Sequence, residues 1–326
     1  MGAEGLRRRA LEAREILHGC RLCPRACGVD RTSGEKGFCG CGSEAGVSAF
    51  LLHKGEEPPL TGLKGAGTVF FTGCTMSCVF CQNYQISSGS SPFSRGFSEE
   101  ELASAFLSLQ DRGAANIDLV TPTPHVPAII ASLALAVERG LRIPIVYNTN
   151  SYVTPEALSL LSGVVDVWLP DLKYSSNSAA LRLSGVPDYA DAAFDAVRTM
   201  AKWRPALLLN GDGTAAKGCI VRILLLPDGS DGAEELLKRL ASEGLFPALS
   251  LMGQFSPAHR AQEFPELSGA VRSERVDALL DLASGLGFED VWFQYADAGG
   301  VFVPDFSREN PFDFGICRKN PDSSLN

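Results

Sequence analysis

The sequence predicts an α/β fold: an incomplete (β/α) barrel of about six units, preceded by a small amino-terminal cysteine-rich metal-binding module. Three observations lead to this prediction. From about residue 67, short apolar runs alternate with helical patterns, which is typical of parallel strands buried on both faces. Polar residues follow several of these runs, as at the carboxyl-terminal edge of a barrel. Five cysteines lie within residues 20–41, a stretch too poor in apolar residues to build its own core.

The elements follow from apolar periodicity and from helix start signals. A first helix is predicted over residues 6–17, directly before the cysteine-rich stretch. The predicted strands are residues 68–72, 117–121, 143–149, 164–169, 220–226, 248–252 and 291–294. The helical patterns between them are residues 98–110, 126–138, 155–161, 191–203, 233–242 and 273–286. Ser98 and Glu101 form a capping box at the start of the first of these helices. Six or seven units in about 230 residues fall short of the eight of a complete barrel.

The 326 residues, 45% of them hydrophobic, suffice for one large domain and a small module. We expect residues 1–60 to form the amino-terminal helix and cysteine-rich module, residues 61–300 the partial barrel, and residues 301–326 a carboxyl-terminal extension. No linker is long enough to separate two large domains.

Charge and hydropathy exclude several classes of protein. A net charge of -9 opposes the counterion release that drives non-specific nucleic-acid binding. The longest apolar run, within residues 128–137, is too short to cross a bilayer, and the charged residues Glu12, Arg14 and Glu15 stand where a signal peptide needs an apolar core. We therefore expect a cytoplasmic protein without a membrane span. In such a chain ten cysteines predict metal-binding thiols rather than disulfides.

Cys74, Cys78 and Cys81 form a C-x3-C-x2-C loop directly after the first predicted strand. Three thiolates at this spacing can hold three corners of a 4Fe-4S cluster, and no fourth cysteine lies nearby for the last iron. An open iron can chelate S-adenosylmethionine, whose reductive cleavage yields a 5'-deoxyadenosyl radical. A zinc site would need a fourth ligand, and it fits this isolated trio less well. We therefore predict a 4Fe-4S cluster and S-adenosylmethionine as cofactors.

The trio, with the aromatic Phe80 before its last cysteine, resembles the signature of radical S-adenosylmethionine enzymes. More closely, the chain resembles the branch labelled pyruvate formate-lyase activating enzyme-like. The motifs that carry this resemblance are CRLCPRACGV at residues 20–29, GEEPP at 55–59, CQNYQIS at 81–87, YNTN at 147–150, PDLKY at 170–174 and MGQFSP at 252–257. They extend over most of the chain.

The resemblance implies roles for particular residues. The cysteine trio would ligate the cluster, and Phe80 would lie near the adenine of S-adenosylmethionine. Thr121 and Thr123 stand where true activating enzymes have a Gly-Gly-Glu-Pro turn, so we expect their hydroxyls or backbone carbonyls to receive the amino group of the cofactor. Further polar strand-end residues would face the cofactor, although strand-end solvation and ion pairing are the alternative: Asn148, Asn150, Asp171, Lys173 and Arg222.

Because carboxyl-terminal strand ends meet at one face of a barrel, residues from five strand ends should gather there. These residues are Cys74, Thr121, Asn148, Asp171 and Arg222.

Cys20, Cys23, Cys27 and Cys39 form the predicted second metal site. Their spacing fits a tetrahedral zinc ion or a second iron–sulfur cluster, and it does not separate the two. Cys39 is taken as the fourth ligand because the related family has Gly-x-Cys at this place, which leaves Cys41 as a spare thiol. The metal would either fold the module only or act as an auxiliary cluster.

The leading hypothesis is an enzyme that cleaves S-adenosylmethionine reductively and abstracts hydrogen from an unknown substrate. Activation of a glycyl radical enzyme and modification of another protein, a peptide, a nucleic acid or a small molecule are the alternative reactions. Such an enzyme needs a reductant, for example flavodoxin or ferredoxin. The competing hypothesis is a non-catalytic iron–sulfur protein for electron transfer or metal binding. No catalytic side chain is predicted.

Overall fold

A computed structural model describes residues 2–296 and 303–313 of the chain, so Cys317 lies outside the described residues. The strands, numbered in chain order, are β1 (Ala45–His53), β2 (Ala66–Phe71), β3 (Arg95–Phe97), β4 (Ile117–Val120), β5 (Ile145–Thr149), β6 (Val167–Pro170), β7 (Leu208–Leu209), β8 (Ala215–Leu224), β9 (Ala248–Met252) and β10 (Val291–Gln294). The helices are α1 (Ala3–Glu15), α2 (Pro58–Thr61), α3 (Glu99–Asp111), α4 (Val126–Glu138), α5 (Pro155–Leu161), α6 (Asn177–Ser184), α7 (Tyr189–Trp203), α8 (Ala233–Ser242) and α9 (Ser273–Leu286).

One sheet contains these strands in the order β10-β9-β8-β6-β5-β4-β2-β1-β3, and β7 pairs with β8 beside this path. The neighbours from β2 to β10 are all parallel, whereas β1 is antiparallel to both β2 and β3. Strands β2, β4, β5 and β6 are buried along their whole length, as expected for a sheet covered on both faces. The predicted incomplete (β/α) barrel is confirmed.

Several helices pack against the sheet and against one another. Helix α1 packs against α4 and α5, and α3 packs against α4. The predicted capping box is present, because Ser98 Oγ accepts a hydrogen bond from the Glu101 amide at 3.2 Å and Glu101 accepts one from the Ser98 amide at 2.9 Å. None of the helices described here combines the length and apolar character that crossing a bilayer requires.

Several elements differ from the sequence-based expectations. Helices α2 and α6 and strands β1, β3 and β7 were not predicted, and β8 begins at Ala215 rather than at Ile220. Strand β1 lacks a clear apolar alternation, and pairing with β2 is what makes it extended. It lies within the residues expected to form the cysteine-rich module, yet it belongs to the barrel sheet. The three-part division of the chain stays a prediction.

The turn between β1 and β2 fills the lower end of the barrel. Because β1 is antiparallel to β2, this turn lies at the amino-terminal ends of the parallel strands, opposite to the cysteine loop. Leu60 of α2 is fully buried there, and its backbone carbonyl accepts a hydrogen bond from Asn116 Nδ2 at 2.8 Å. It packs against apolar side chains of four strands: Val146, Val167, Leu169, Ala215, Ile220 and Ala248. This turn, residues 54–65, is called the plug, and it brings Glu56 and Glu57 to the cavity in the barrel.

Replacing Leu60 by Ala should therefore lower the free energy of unfolding by about 2–5 kcal/mol, because it leaves a cavity among buried apolar side chains. Urea denaturation followed by circular dichroism measures this change. Leu63, whose side chain is 95% exposed in the same turn, is the matched control, and Leu63→Ala should change stability by less than about 0.5 kcal/mol. Equal effects of the two substitutions would contradict the plug.

Candidate functional site

A cavity of about 350 Å³ lies in the barrel and is lined in part by the cysteine loop. The five strand-end residues that were expected to gather all line it: Cys74, Thr121, Asn148, Asp171 and Arg222. This predicted convergence is confirmed. Five other predicted site residues line the same cavity: Cys78, Phe80, Cys81, Asn150 and Lys173.

The cysteine loop is anchored on both sides through its backbone. The amides of Ser77 and Val79 donate to the carbonyls of Ser184 and Leu183, at 3.1 and 2.9 Å, at the end of α6. From the other side, Arg25 Nε of the cysteine-rich module donates to the Thr75 carbonyl at 2.6 Å. The loop therefore has a defined course between α6 and the module.

Gly73 connects β2 to the loop in a left-handed conformation, with φ +82°. A Cβ atom at this position would lie 2.2 Å from Cys41 Sγ and 2.9 Å from the Cys39 carbonyl oxygen. Both the conformation and the space therefore require glycine. Cys41, the spare thiol, is buried against this turn, and its sulfur lies 3.7 Å from His125 Nε2.

Two of the three sulfurs in the loop accept hydrogen bonds from neighbouring side chains. Asn150 Nδ2 donates to Cys74 Sγ at 3.3 Å, and Ser184 Oγ donates to Cys78 Sγ at 3.0 Å. Desolvation raises the pKa of the Cys74 thiol to about 11 and raises that of Cys81 as well. The thiols would therefore stay protonated near neutral pH unless a positively charged partner, such as iron, binds them.

A chain of charged groups connects the barrel interior with the region of the loop. Lys173 Nζ lies 2.7 Å from Asp171 Oδ2, and Arg222 Nε lies 2.9 Å from Asp171 Oδ1. Arg222 also donates to Asn148 Oδ1, and it lies 3.6 Å from Glu56. Desolvation disfavours the charge on Asp171, but its two cationic partners outweigh this effect and hold the pKa of Asp171 below its ordinary value.

The two predicted threonines have different surroundings. Thr121 lines the cavity at φ +60°, a conformation that is strained for a β-branched residue, and its amide donates to the Asn148 carbonyl at 3.0 Å. Thr123 is buried outside the cavity lining, and its hydroxyl lies 2.9 Å from Tyr147 Oη and 3.3 Å from Thr149 Oγ1. The structure therefore separates Thr123 from the cavity that Thr121 lines.

Backbone amides of the cysteine-rich module donate hydrogen bonds within the module. The Cys20 amide donates to the Val29 carbonyl at 2.9 Å, and the Phe38 amide donates to Cys27 Sγ at 3.5 Å. Desolvation raises the pKa of Cys23 to about 12, whereas a hydrogen bond from the Cys41 side chain lowers that of Cys39 to about 6.

No three His, Cys, Asp or Glu side chains among the described residues are placed to hold a single metal ion. Sulfurs that bind one tetrahedral zinc lie only about 3.8 Å apart, since each Zn–S bond is about 2.3 Å long.

Sequence reasoning did not assign several polar residues of the cavity. Glu56, Glu57, Ser250 and Gln254 all line it. Glu56 and Glu57 belong to the motif at residues 55–59, and Gln254 belongs to the motif at residues 252–257. The residue types in these motifs did not predict that the turn before β2 would reach inside the barrel. A glutamate pair in such a turn is ordinarily a solvated surface feature.

The fold and the cavity define a class: a partial (β/α) barrel with three cysteines at the carboxyl-terminal end of its first parallel strand. The family model of the radical SAM superfamily matches residues 68–204, which include the cysteine loop. The uncharacterized protein MJ0674 of Methanocaldococcus jannaschii is 33% identical over 281 residues, which are 83% of this chain and 76% of that protein. The chain belongs to the radical SAM superfamily.

Solved structures of SuiB from Streptococcus suis match part of this chain at 11% identity. SuiB bound to the precursor peptide SuiA has a TM-score of 0.47 and is matched over 72% of this chain and 50% of that one. SuiB bound to S-adenosylmethionine has a TM-score of 0.45, with 68% and 48% covered. The chain thus spans about half the length of SuiB.

Gly73→Ala should displace the cysteine loop, because the added methyl group overlaps Cys41 Sγ and the backbone at Cys39. We expect the iron bound per chain after anaerobic reconstitution to fall at least about twofold, as measured by a colorimetric iron assay. Gly211→Ala is the matched control, since a Cβ atom there meets no atom within 4 Å. Unchanged iron content in Gly73→Ala would show that the close contact at this turn does not position the loop.

Proposed function

We propose that this chain is an enzyme that binds a 4Fe-4S cluster through Cys74, Cys78 and Cys81 and cleaves S-adenosylmethionine reductively. The observation that carries the proposal is the placement of these three thiols on one cavity wall, together with the lack of a fourth cysteine in the lining formed by the described residues. When bound, the cluster would supply the electron that splits S-adenosylmethionine into methionine and a 5'-deoxyadenosyl radical. Three protein ligands leave one iron for the cofactor.

The chain's own residues suit this chemistry. Hydrogen bonds from Asn150 to Cys74 and from Ser184 to Cys78 favour thiolates, as cluster ligation requires. Lys173 and Arg222 supply positive charge that can hold the cofactor's carboxylate, while their ion pairs with Asp171 keep them oriented. The strands and loops that line the cavity would shield a radical from water on those sides.

We assign the remaining cofactor contacts as follows. Phe80 would pack near the adenine, since it is buried at the cavity wall against Phe255, with ring centroids 5.9 Å apart. Thr121 would receive the amino group through its carbonyl or hydroxyl. The hydroxyl of Thr123 is engaged by Tyr147, so its predicted contact with the cofactor would require that hydrogen bond to break.

The finer assignments are proposals as well. The chain would fall in the pyruvate formate-lyase activating enzyme-like branch, receive electrons from a flavodoxin or ferredoxin, and act in the cytoplasm on a protein or peptide. Activation of a glycyl radical enzyme is one such reaction, and the Thr-Pro-Thr turn in place of Gly-Gly-Glu-Pro argues against it.

We also propose a second metal group at Cys20, Cys23, Cys27 and Cys39. The group would be a tetrahedral zinc ion or an iron–sulfur cluster, since the spacing of these cysteines fits both. The module is in direct contact with the cysteine loop, because Arg25 Nε donates a hydrogen bond to the Thr75 carbonyl.

Anaerobically reconstituted protein should release 5'-deoxyadenosine and methionine from S-adenosylmethionine when dithionite is added, as measured by liquid chromatography. Cys78→Ala should reduce this release to the level of the protein-free reaction, because two thiolates do not hold the cluster in place. Cys219→Ala is the matched control: this lone thiol is buried in β8, and its loss should leave cleavage intact. A fully loaded cluster that cleaves nothing would favour the non-catalytic alternative.

The triple variant Cys74→Ala, Cys78→Ala and Cys81→Ala should retain metal, because the module cysteines form a separate set. Inductively coupled plasma mass spectrometry of the purified protein measures iron and zinc per chain. Adding Cys23→Ala and Cys27→Ala should remove the remaining metal. A metal-free triple variant with wild-type circular dichroism would contradict the second site.

A further inference from the structure

We infer that the cavity binds a cationic organic group of the substrate, a guanidinium or primary ammonium, through an acceptor set formed by Glu56, Glu57 and Gln254. The inference rests on the proposed function, since it names the substrate class for the same cavity. It assigns a role to two of the motifs, residues 55–59 and 252–257, that the cofactor chemistry leaves without one.

The first observation is a pair of acceptors without partners. Glu57 and Gln254 line the cavity, and each is only 8% exposed. Neither Glu57 Oε2 nor Gln254 Oε1 has a hydrogen-bond partner. A buried acceptor that is left unpaired has lost its hydrogen bonds to water, so a ligand that donates N–H groups to these oxygens gains binding energy.

The second observation is the balance of charge. The two cations of the cavity lining, Lys173 and Arg222, both pair with Asp171. Arg222 also reaches Glu56, but only at 3.6 Å. Glu57 has no cationic side chain within ion-pair distance among the described residues. The cavity therefore contains more acidic groups than its own cations neutralise.

Behind this set lies Asp118, which is fully buried and whose Oδ1 also has no hydrogen-bond partner. Desolvation raises the pKa of both Glu57 and Asp118. A cation that enters the cavity would stabilise the ionised carboxylates and so release protons to the solvent.

The guest is an organic cation rather than a metal ion. No three acidic, histidine or cysteine side chains of the described part of the chain are placed to hold a single ion. The acceptors instead border a cavity of about 350 Å³, which can hold the stem of a larger group. Three aromatic side chains that line the same cavity suit a cation with an apolar stem: Phe70, Trp292 and Phe312.

The test compares n-butylguanidinium with n-butylurea, which has nearly the same shape but no charge. Isothermal titration calorimetry is performed on anaerobically reconstituted protein with S-adenosylmethionine present. We expect wild-type protein to bind the guanidinium at least about tenfold more tightly than the urea, as expected for hydrogen bonds to charged groups. Glu57→Gln should reduce this ratio at least about tenfold, and the exposed control Glu12→Gln should preserve it.

Glu57 supports α2 only through its backbone carbonyl, so Glu57→Gln should fold. If its circular dichroism melting curve is nonetheless altered, Gln254→Met tests the same set from another segment and should also lower the ratio. In the wild type, the observed heat should depend on the ionisation enthalpy of the buffer, because protons are released.

Equal affinity of wild-type protein for the two probes, no binding of either, or an unchanged ratio in correctly folded Glu57→Gln would overturn the inference. Release of 5'-deoxyadenosine is measured in the same preparation. Cleavage of S-adenosylmethionine without preference for the cation would support the proposed function and contradict the role of the acceptor set. Preference for the cation without cleavage would support the acceptor set and contradict the proposed function.

Discussion

The barrel and its cavity both depend on the ion pair between Asp171 and Arg222. Strands β6 and β8 are paired at only two residue positions. A β-bridge between Asp171 and Arg222 extends this pairing, and the Leu172 amide donates a hydrogen bond to the Arg222 carbonyl at 2.8 Å. A desolvated carboxylate is tolerable only with partners, and here Arg222 and Lys173 supply them. The same contacts thus join two strands and orient the cations proposed to hold the cofactor.

The cavity lies between two parts of the chain that flank the parallel strands at opposite ends. At the carboxyl-terminal end, Gly73 allows the cysteine loop to pack against Cys41, and Arg25 bonds to the loop backbone. At the amino-terminal end, Leu60 plugs the barrel and carries Glu57 inside. The residues before β2 therefore shape both ends of the site, although the family model begins at residue 68.

Sequence reasoning was most successful where the signal is local. Apolar runs predicted most of the parallel strands within a few residues, and the capping box placed the start of α3 correctly. The rule that parallel strand ends meet at one face was sufficient to group Cys74, Thr121 and Arg222. Thr123, which only the family resemblance assigned to the cofactor, was not part of this group, and its hydroxyl contacts Tyr147 outside the cavity lining.

By itself, the sequence determined the strand–helix alternation, the cysteine spacing and the polar strand ends, because periodicity and short spacings are properties of neighbouring residues. Only the tertiary structure decided that β1 joins the sheet, that Cys41 packs against Gly73 and that Glu56 and Glu57 enter the barrel. These features depend on contacts between distant segments, whose energies come from burial and pairing in the folded chain and leave no periodic trace in the sequence.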